Sequence, residues 1–471
     1  MTPFVPLTMF GWLVVGPLLF WVLRARWAVI AAYALAWMFL PMAEYDWSGL
    51  PRFNKTAAAS YAALLGVMLF DHRTLLSYKP RLIDLPMLAW CLVPFASVLA
   101  NGPLSPPGAP DVQLWAQTPL RVYDAFSTTW EQTLAWGVPY LLGRLYFTTR
   151  ESHRDACVVL FIAGLLYAPL CVYEMRMSPQ LHNMFYGEHP HDFMQSIRFG
   201  GYRPTVFMEH GLMVAFWMTT ATLAGWQLWA SGWLRRVRGV SILWALIPLT
   251  LTAIGCRSFG AWLQLLLGLA LLWVVRRTRA PVLILALAFV PPTYITARTV
   301  LEWNGGHAYE LVSIVSEERA QSLAFRLVNE DRLVDHALER PVFGWAGWKR
   351  NRVYDEQGRD ISVTDGQWVL ALGMYGIAGL VALLGWLLIP ASLALMRLQR
   401  ERTRLAESAC TTAAALIAIM FALDAIPNAM LNPVFVIIIG GLATFGTTRH
   451  ARQMPAMPGP TQPRPGAEAR P

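Results

Sequence analysis

The sequence predicts an all-α integral membrane protein, with about 12–13 transmembrane helices and a large outer loop containing an amphipathic helix. Three observations predict it. Of 471 residues, 56% are hydrophobic and only 14% are charged, whereas soluble domains carry roughly 25% charged residues. Continuous apolar runs recur along the chain at close to the roughly 20 residues that a spanning helix needs. Lysine and arginine crowd alternate connections between those runs, the mark of cytoplasmic loops. The runs are continuous rather than alternating, which argues against a β-barrel.

The candidate spans lie near 7–23, 27–43, 56–70, 84–100, 131–147, 156–173, 205–230, 240–255, 259–275, 280–297, 367–396, 409–424 and 429–447. No lysine or arginine precedes Leu7, so the basic region that opens a secretory signal is missing and the first run reads as a retained helix. The last two spans form a tight hairpin around 424–428. Basic residues mark the connections at Arg24/Arg26, Arg73/Lys79/Arg81, Arg150/Arg154, Arg235/Arg236/Arg238, Arg276/Arg277/Arg279 and Arg397/Arg400/Arg402/Arg404. These are assigned to the cytoplasm. The connections 44–55, 101–130, 174–204, 256–258 and 298–366 are then outside. The chain reads as one polytopic domain over 1–447, followed by a disordered cytoplasmic tail at 448–471, rich in proline, glycine and polar residues.

The outer loops 174–204 and 298–366 are too long to be simple connectors. The second contains a predicted amphipathic helix over about 317–340, with Leu323, Leu327, Val334 and Leu338 on one stripe. Pro341 ends it. The 21 tryptophans suit membrane–water interfaces. The net charge of +9 reads as a topology signal, and no nucleic acid partner is expected, since no basic cluster is interleaved with aromatics. The five cysteines lie in or beside apolar runs without a CxxC pair, so they read as buried thiols.

The polar residues that could carry chemistry gather on the outer side. Arg203 precedes the helix expected from 205, and Arg257 sits in a short turn between apolar helices. Each is either a snorkelling arginine at the interface or a fork for a phosphate. Arg326 lies in the outer amphipathic helix, where pairing with Glu330 at i,i+4 is the plain alternative. Arg144 reads as a cytoplasmic snorkel. Asp365 either caps the helix from Gln367 or serves as a base. Glu209 and His210 fall within the helix expected from 205, where a buried hydrogen bond and catalysis are both open. His182, His189 and His191 cluster in the first outer loop at a spacing that invites a metal reading, but no carboxylate–histidine helix motif accompanies them. No metal and no cofactor is expected, and no glycine-rich phosphate fingerprint is present.

Three segments, taken in order and spacing, resemble the O-antigen ligase and O-antigen polymerase superfamily of bacterial envelope glycan assembly. They are GYRP (201–204) opening a helix, IGCRSFGAW (254–262), and Phe325-Arg326 leading through the outer helix to PVFG (341–344) and then LGMYGIAG (372–379). The resemblance spans roughly 130–447. It implies a multi-pass protein of the bacterial inner membrane. Such a protein moves a glycan from an undecaprenyl-diphosphate carrier to a glycan or lipid acceptor on the outer face, with membrane lipids around it. By the same resemblance, Arg203, Arg257 and Arg326 fall where family arginines hold the diphosphate. Family ligases place a histidine where this chain has Asp365, which leaves a polymerase-like enzyme or an inactive relative open. The rival classes are a flippase or transporter of a lipid-linked sugar, expected to show inverted repeats and mid-membrane charge, and a catalytically silent scaffold.

Overall fold

The structure is a computed structural model that describes residues 2–101, 120–314, 317–347, 349–401 and 405–446. The predicted tail at 448–471 and most of the 101–130 connection lie outside the described residues. The described chain is all-α apart from three two-stranded pairs of two residues each. The principal helices are α1 (Phe4–Val22), α2 (Ala25–Phe39), α3 (Lys55–Phe70) and α4 (Leu85–Asn101), then α5 (Val122–Gln132), which continues through a π turn at Thr133–Gly137 into α6 (Val138–Tyr146). They continue with α7 (Arg150–Met177), α8 (Gly211–Ser231), α9 (Leu243–Gly255), α10 (Phe259–Thr278), α11 (Val282–Leu287) and α12 (Val290–Thr299). The last are α13 (Glu317–Leu338), α14 (Gln367–Glu401), α15 (Leu405–Asp424) and α16 (Pro433–Ala443). Each apolar run coincides with a helix or a consecutive pair. Seven of these stretches, among the described residues, are long and apolar enough to cross a membrane. The chain is thus an all-α, multi-pass membrane protein.

Backbone polar groups cannot go unsatisfied in hydrocarbon, which is why apolar runs of this length close their hydrogen bonds as helices. The breaks have local causes. Gly376 interrupts α14 at φ +63° and ψ −162°. There the PVFG segment docks into the break, with Ile377 donating its N–H to the Pro341 carbonyl at 2.7 Å. A Cβ at Gly376 would lie 2.5 Å from the Val342 carbonyl, so both the conformation and the contact demand glycine.

The loops separate into two ends. At one end the basic connections meet each other. Arg26 pairs with Glu151 at 3.1 Å and with Asp155, Arg150 pairs with Glu401, and Arg154 lies over the Trp233 ring. Trp233 in turn donates to the Ala406 carbonyl at 2.9 Å. At the other end Met42 meets His182, Lys55 meets Phe207, Arg203 meets Arg257 and Arg326 meets Pro427.

Arg144 is not a snorkel. Its side chain is buried and binds Asp84 through two hydrogen bonds of 2.6 and 3.0 Å, with a third to Thr444 at 2.7 Å. The reason is Asp84, which stands just before α4 and supplies the counter-charge that makes burial tolerable. All five cysteines are free and buried.

The predicted amphipathic helix forms as α13, but its buried stripe differs from the expected one. Ala320, Leu327, Leu333, Val334 and Ala337 are buried, whereas Leu338 is exposed. What fixes α13 is Arg298 at the end of α12. Its buried guanidinium reaches Glu330 at 3.2 Å, Asp331 at 2.8 Å and the Leu327 carbonyl at 2.7 Å.

Candidate functional site

The helix expected from residue 205 begins at Gly211. Residues 205–210 form a turn, so Glu209 and His210 lie outside the helix rather than within it. The cause is a side chain from another helix. Glu174, fully buried in the last turn of α7, accepts four backbone N–H groups. Gln180 and Leu181 donate to one carboxylate oxygen at 3.0 and 2.8 Å, and Thr205 and Val206 to the other at 2.8 and 2.7 Å. Val206 takes a left-handed φ of +52°. Beneath the turn, the buried Lys55 ammonium donates to the Phe207 carbonyl at 2.9 Å, and the Tyr167 hydroxyl accepts the Phe207 N–H at 3.1 Å. Two buried ionisable side chains, Glu174 and Lys55, thus hold this non-helical segment. Such segments within a membrane body survive only where their polar groups are satisfied.

His210 is the N-cap of α8. Its Nδ1 accepts the Leu212 N–H at 3.0 Å, and its Nε2 faces the Gln195 amide oxygen at 3.3 Å. Burial, His191 and the charges of Arg203, Arg198 and Arg326 bring its imidazole down to about 4. The neutral ring therefore accepts at Nδ1 and donates at Nε2, with no lone pair left to take a further proton. The ring meets His191 edge-on, with centroids 4.6 Å apart. A recess opens here, walled by His189, His191, Gln195, Arg203, His210 and Gly211 among others.

Arg203 is buried in the wall of that recess. Its Nε and Nη2 donate to the backbone carbonyl of Arg257 at 3.3 and 3.1 Å. Arg257 itself sits at φ +51°, an uncommon conformation for a side-chain-bearing residue. Its Nη1 donates to the Arg198 carbonyl at 3.2 Å and to the Phe199 carbonyl. A Cβ at Gly201 would lie 2.4 Å from the guanidinium carbon, so glycine in GYRP is what lets Arg257 lie flat against the chain. The two arginines predicted from separate motifs are therefore interlocked. The acceptors named for Arg257 are uncharged carbonyls.

Arg326 does not pair with Glu330, which is taken by Arg298. It reaches Asp365 at 3.5 Å and the Pro427 carbonyl at 3.4 Å. Asp365 is thus charge-compensated by Arg326, and both are partly exposed. Gln367 at the start of α14 donates its N–H to the Ala425 carbonyl at 2.9 Å, which ties this pair to the turn after α15. Glu209 has no hydrogen-bond or ion-pair partner among the described residues. Water reaches it from one side, while the surrounding protein raises its carboxyl above the ordinary range against the opposing pull of His191 and Lys55.

The structure therefore places Arg203 and His210 in the wall of one recess, with Arg257 locked to Arg203 behind it, Arg326 acting on His210 through its charge and paired with Asp365, and Glu209 next to His210 in the chain. His182 belongs to the framework, since its Nε2 accepts the Met42 N–H at 3.1 Å and its Nδ1 meets the Glu188 carbonyl at 2.6 Å. No group of three or more histidine, cysteine or acidic side chains among the described residues is placed to hold a metal. Glu174, Lys55 and Arg298 were not singled out from the sequence. Each is a lone ionisable residue at the end of an apolar run, and that placement is the available signal. No protein-family model matches the chain, and no curated protein matches it.

Proposed function

We propose that this protein transfers a glycan from an undecaprenyl-diphosphate carrier to an acceptor hydroxyl on the outer face of a bacterial inner membrane, as an O-antigen ligase- or polymerase-like enzyme without metal. In this reading the chain crosses the membrane 12 or 13 times, the basic loops are cytoplasmic, and the recess around His210 opens outward. The observation that carries the reading is the buried Arg203 in the wall of the same recess as His210 at the N-terminus of α8, with the charges of Arg198 and Arg326 also acting on that imidazole. Positive charge and the positive end of the α8 dipole face one recess at the end of apolar helices, a setting for an anionic headgroup whose lipid tail stays in the bilayer.

As the glycosyl bond breaks, charge grows on the departing diphosphate. Fixed guanidinium groups stabilise that developing charge more than the ground state. A hydrogen bond to a charged group contributes about 1.5–3 kcal/mol, so loss of one arginine slows transfer about tenfold to a hundredfold. The test uses purified Arg203→Ala and Arg257→Ala, checked for folding by thermal unfolding, in binding to a polyprenyl-diphosphate analogue and in glycan transfer. Lysine at either site should restore the charge but not the fork, and so rescue only partly. Wild-type affinity and transfer in both alanine variants would reduce the arginines to interface and backbone-capping roles and remove the mechanism.

A further inference from the structure

A second recess lies further along α8. It is walled by Met213 and Phe216 of α8, Phe421 and Asp424 of α15, Met430, Leu431 and Asn432 of the following turn, and Phe435 of α16. Asp424 is its one ionisable group among the described residues. The Gln264 and Asn428 side-chain amides both donate to Asp424 Oδ1, at 3.3 and 3.1 Å. No hydrogen bond or ion pair occupies Oδ2 among the described residues.

This placement is costly. Asp424 is the last residue of α15, where the helix dipole is negative and disfavours a carboxylate. Its walls are aromatic and thioether side chains, and no cation stands within ion-pair distance among the described residues. An ionisable group kept in such surroundings without a counter-ion points to function.

Its neighbourhood supplies the function. Gly211 lines the first recess, while Met213 and Phe216 line the second. At 1.5 Å per residue these positions fall within about 8 Å along the α8 axis. The residues immediately after Asp424 touch the other half of the site, since the Ala425 carbonyl accepts from Gln367 and the Pro427 carbonyl from Arg326. Of the groups considered as bases, Asp365 is paired with Arg326 and His210 has no free lone pair. Glu209 shares the neighbourhood of His191 and Lys55 but is exposed to water, without the enclosing apolar walls that Asp424 has.

We infer that Asp424 is the proton acceptor for the attacking hydroxyl, and that its recess receives the hydroxyl end of the acceptor. The inference rests on the transfer reading above. In the step, the acceptor O–H proton passes to Asp424 Oδ2 and the acceptor oxygen bonds to the anomeric carbon. The bond from that carbon to the carrier diphosphate breaks, its electron pair stays on the diphosphate oxygen, and Asp424 later returns its proton to water. The apolar walls exclude competing water, which keeps the carboxylate basic and limits hydrolysis of the donor.

The experiment uses full-length protein in detergent or vesicles with a synthetic polyprenyl-diphosphate glycan and a hydroxyl acceptor. Asp424→Asn preserves shape, and Asp424→Glu preserves the base on a longer arm. Donor affinity, KM and kcat are measured for each, with thermal unfolding as the fold control. Asp424→Asn should bind donor as the wild type does and lose about 10²–10⁴-fold in kcat. Asp424→Glu, which keeps a carboxylate, should recover part of that loss even if Asp424→Asn is less stable. Transfer by Asp424→Asn within a few-fold of wild type overturns the assignment while leaving the transfer reading standing. Wild-type protein that neither binds the donor nor transfers glycan overturns both.

Discussion

Glu174 offers the sharpest test of how the recess is built. Every contact of its carboxylate is with an N–H donor, so the group must be ionised, because a protonated oxygen would set O–H against N–H. Glu174→Gln keeps the size and one acceptor oxygen, but it turns an NH2 toward two backbone donors. Either the pair from 180 and 181 or the pair from 205 and 206 then loses its acceptor. Two charge-assisted hydrogen bonds at 1.5–3 kcal/mol each amount to about 3–6 kcal/mol. Desolvated amides left without partners in an apolar body push toward the upper figure. The measurement is denaturant or thermal unfolding in detergent, paired with binding of the diphosphate analogue, because residues 205–206 lead directly to His210. Glu174→Gln should be destabilised and bind more weakly. A variant within about 1 kcal/mol of wild type would show that the carboxylate does not hold the two segments together, and the account of why α8 starts at Gly211 would fall.

Arg144→Ala should cost about 3–5 kcal/mol by leaving the buried Asp84 carboxylate without its counter-charge. A double substitution of both partners by apolar residues of similar size should recover most of that in the same unfolding assay, and equal losses in the single and double variants would contradict the ion-pair account. His210 titrates at about 4 in the folded protein against an ordinary 6.5, so its contribution to stability is present above pH 6.5 and is lost as pH falls toward 4. His210→Asn, which keeps a capping oxygen without titrating, should flatten unfolding-versus-pH curves across that window; an unaltered curve would refute the assignment. Gly376→Ala should destabilise by about 1–3 kcal/mol from backbone strain, with the close approach to Val342 adding to it, and unfolding identical to wild type would show that the PVFG segment does not need the break in α14.

Much of the architecture was legible from the chain because hydrocarbon leaves the backbone few choices. Seventeen or more apolar residues in a row must close their own hydrogen bonds, and the helices lie where the apolar runs lie. The alternation of lysine and arginine likewise separates the loops into two sets, and those sets meet at two ends. Local rules failed where a partner came from far along the chain. Hydropathy extends the seventh helix to residue 205, but Glu174, some thirty residues earlier, takes the amides that would have started it. Helical spacing pairs Arg326 with Glu330, yet Arg298 claims Glu330 and leaves Arg326 to Asp365. Arg144 looks like any arginine at a helix end until Asp84 is seen beside it. Composition and sequence order determined which residues could be helical and which charges would fall at the ends of apolar runs. Only the tertiary packing decided which charge met which, because a buried ion takes the partner that best satisfies it in space, whatever its distance in sequence.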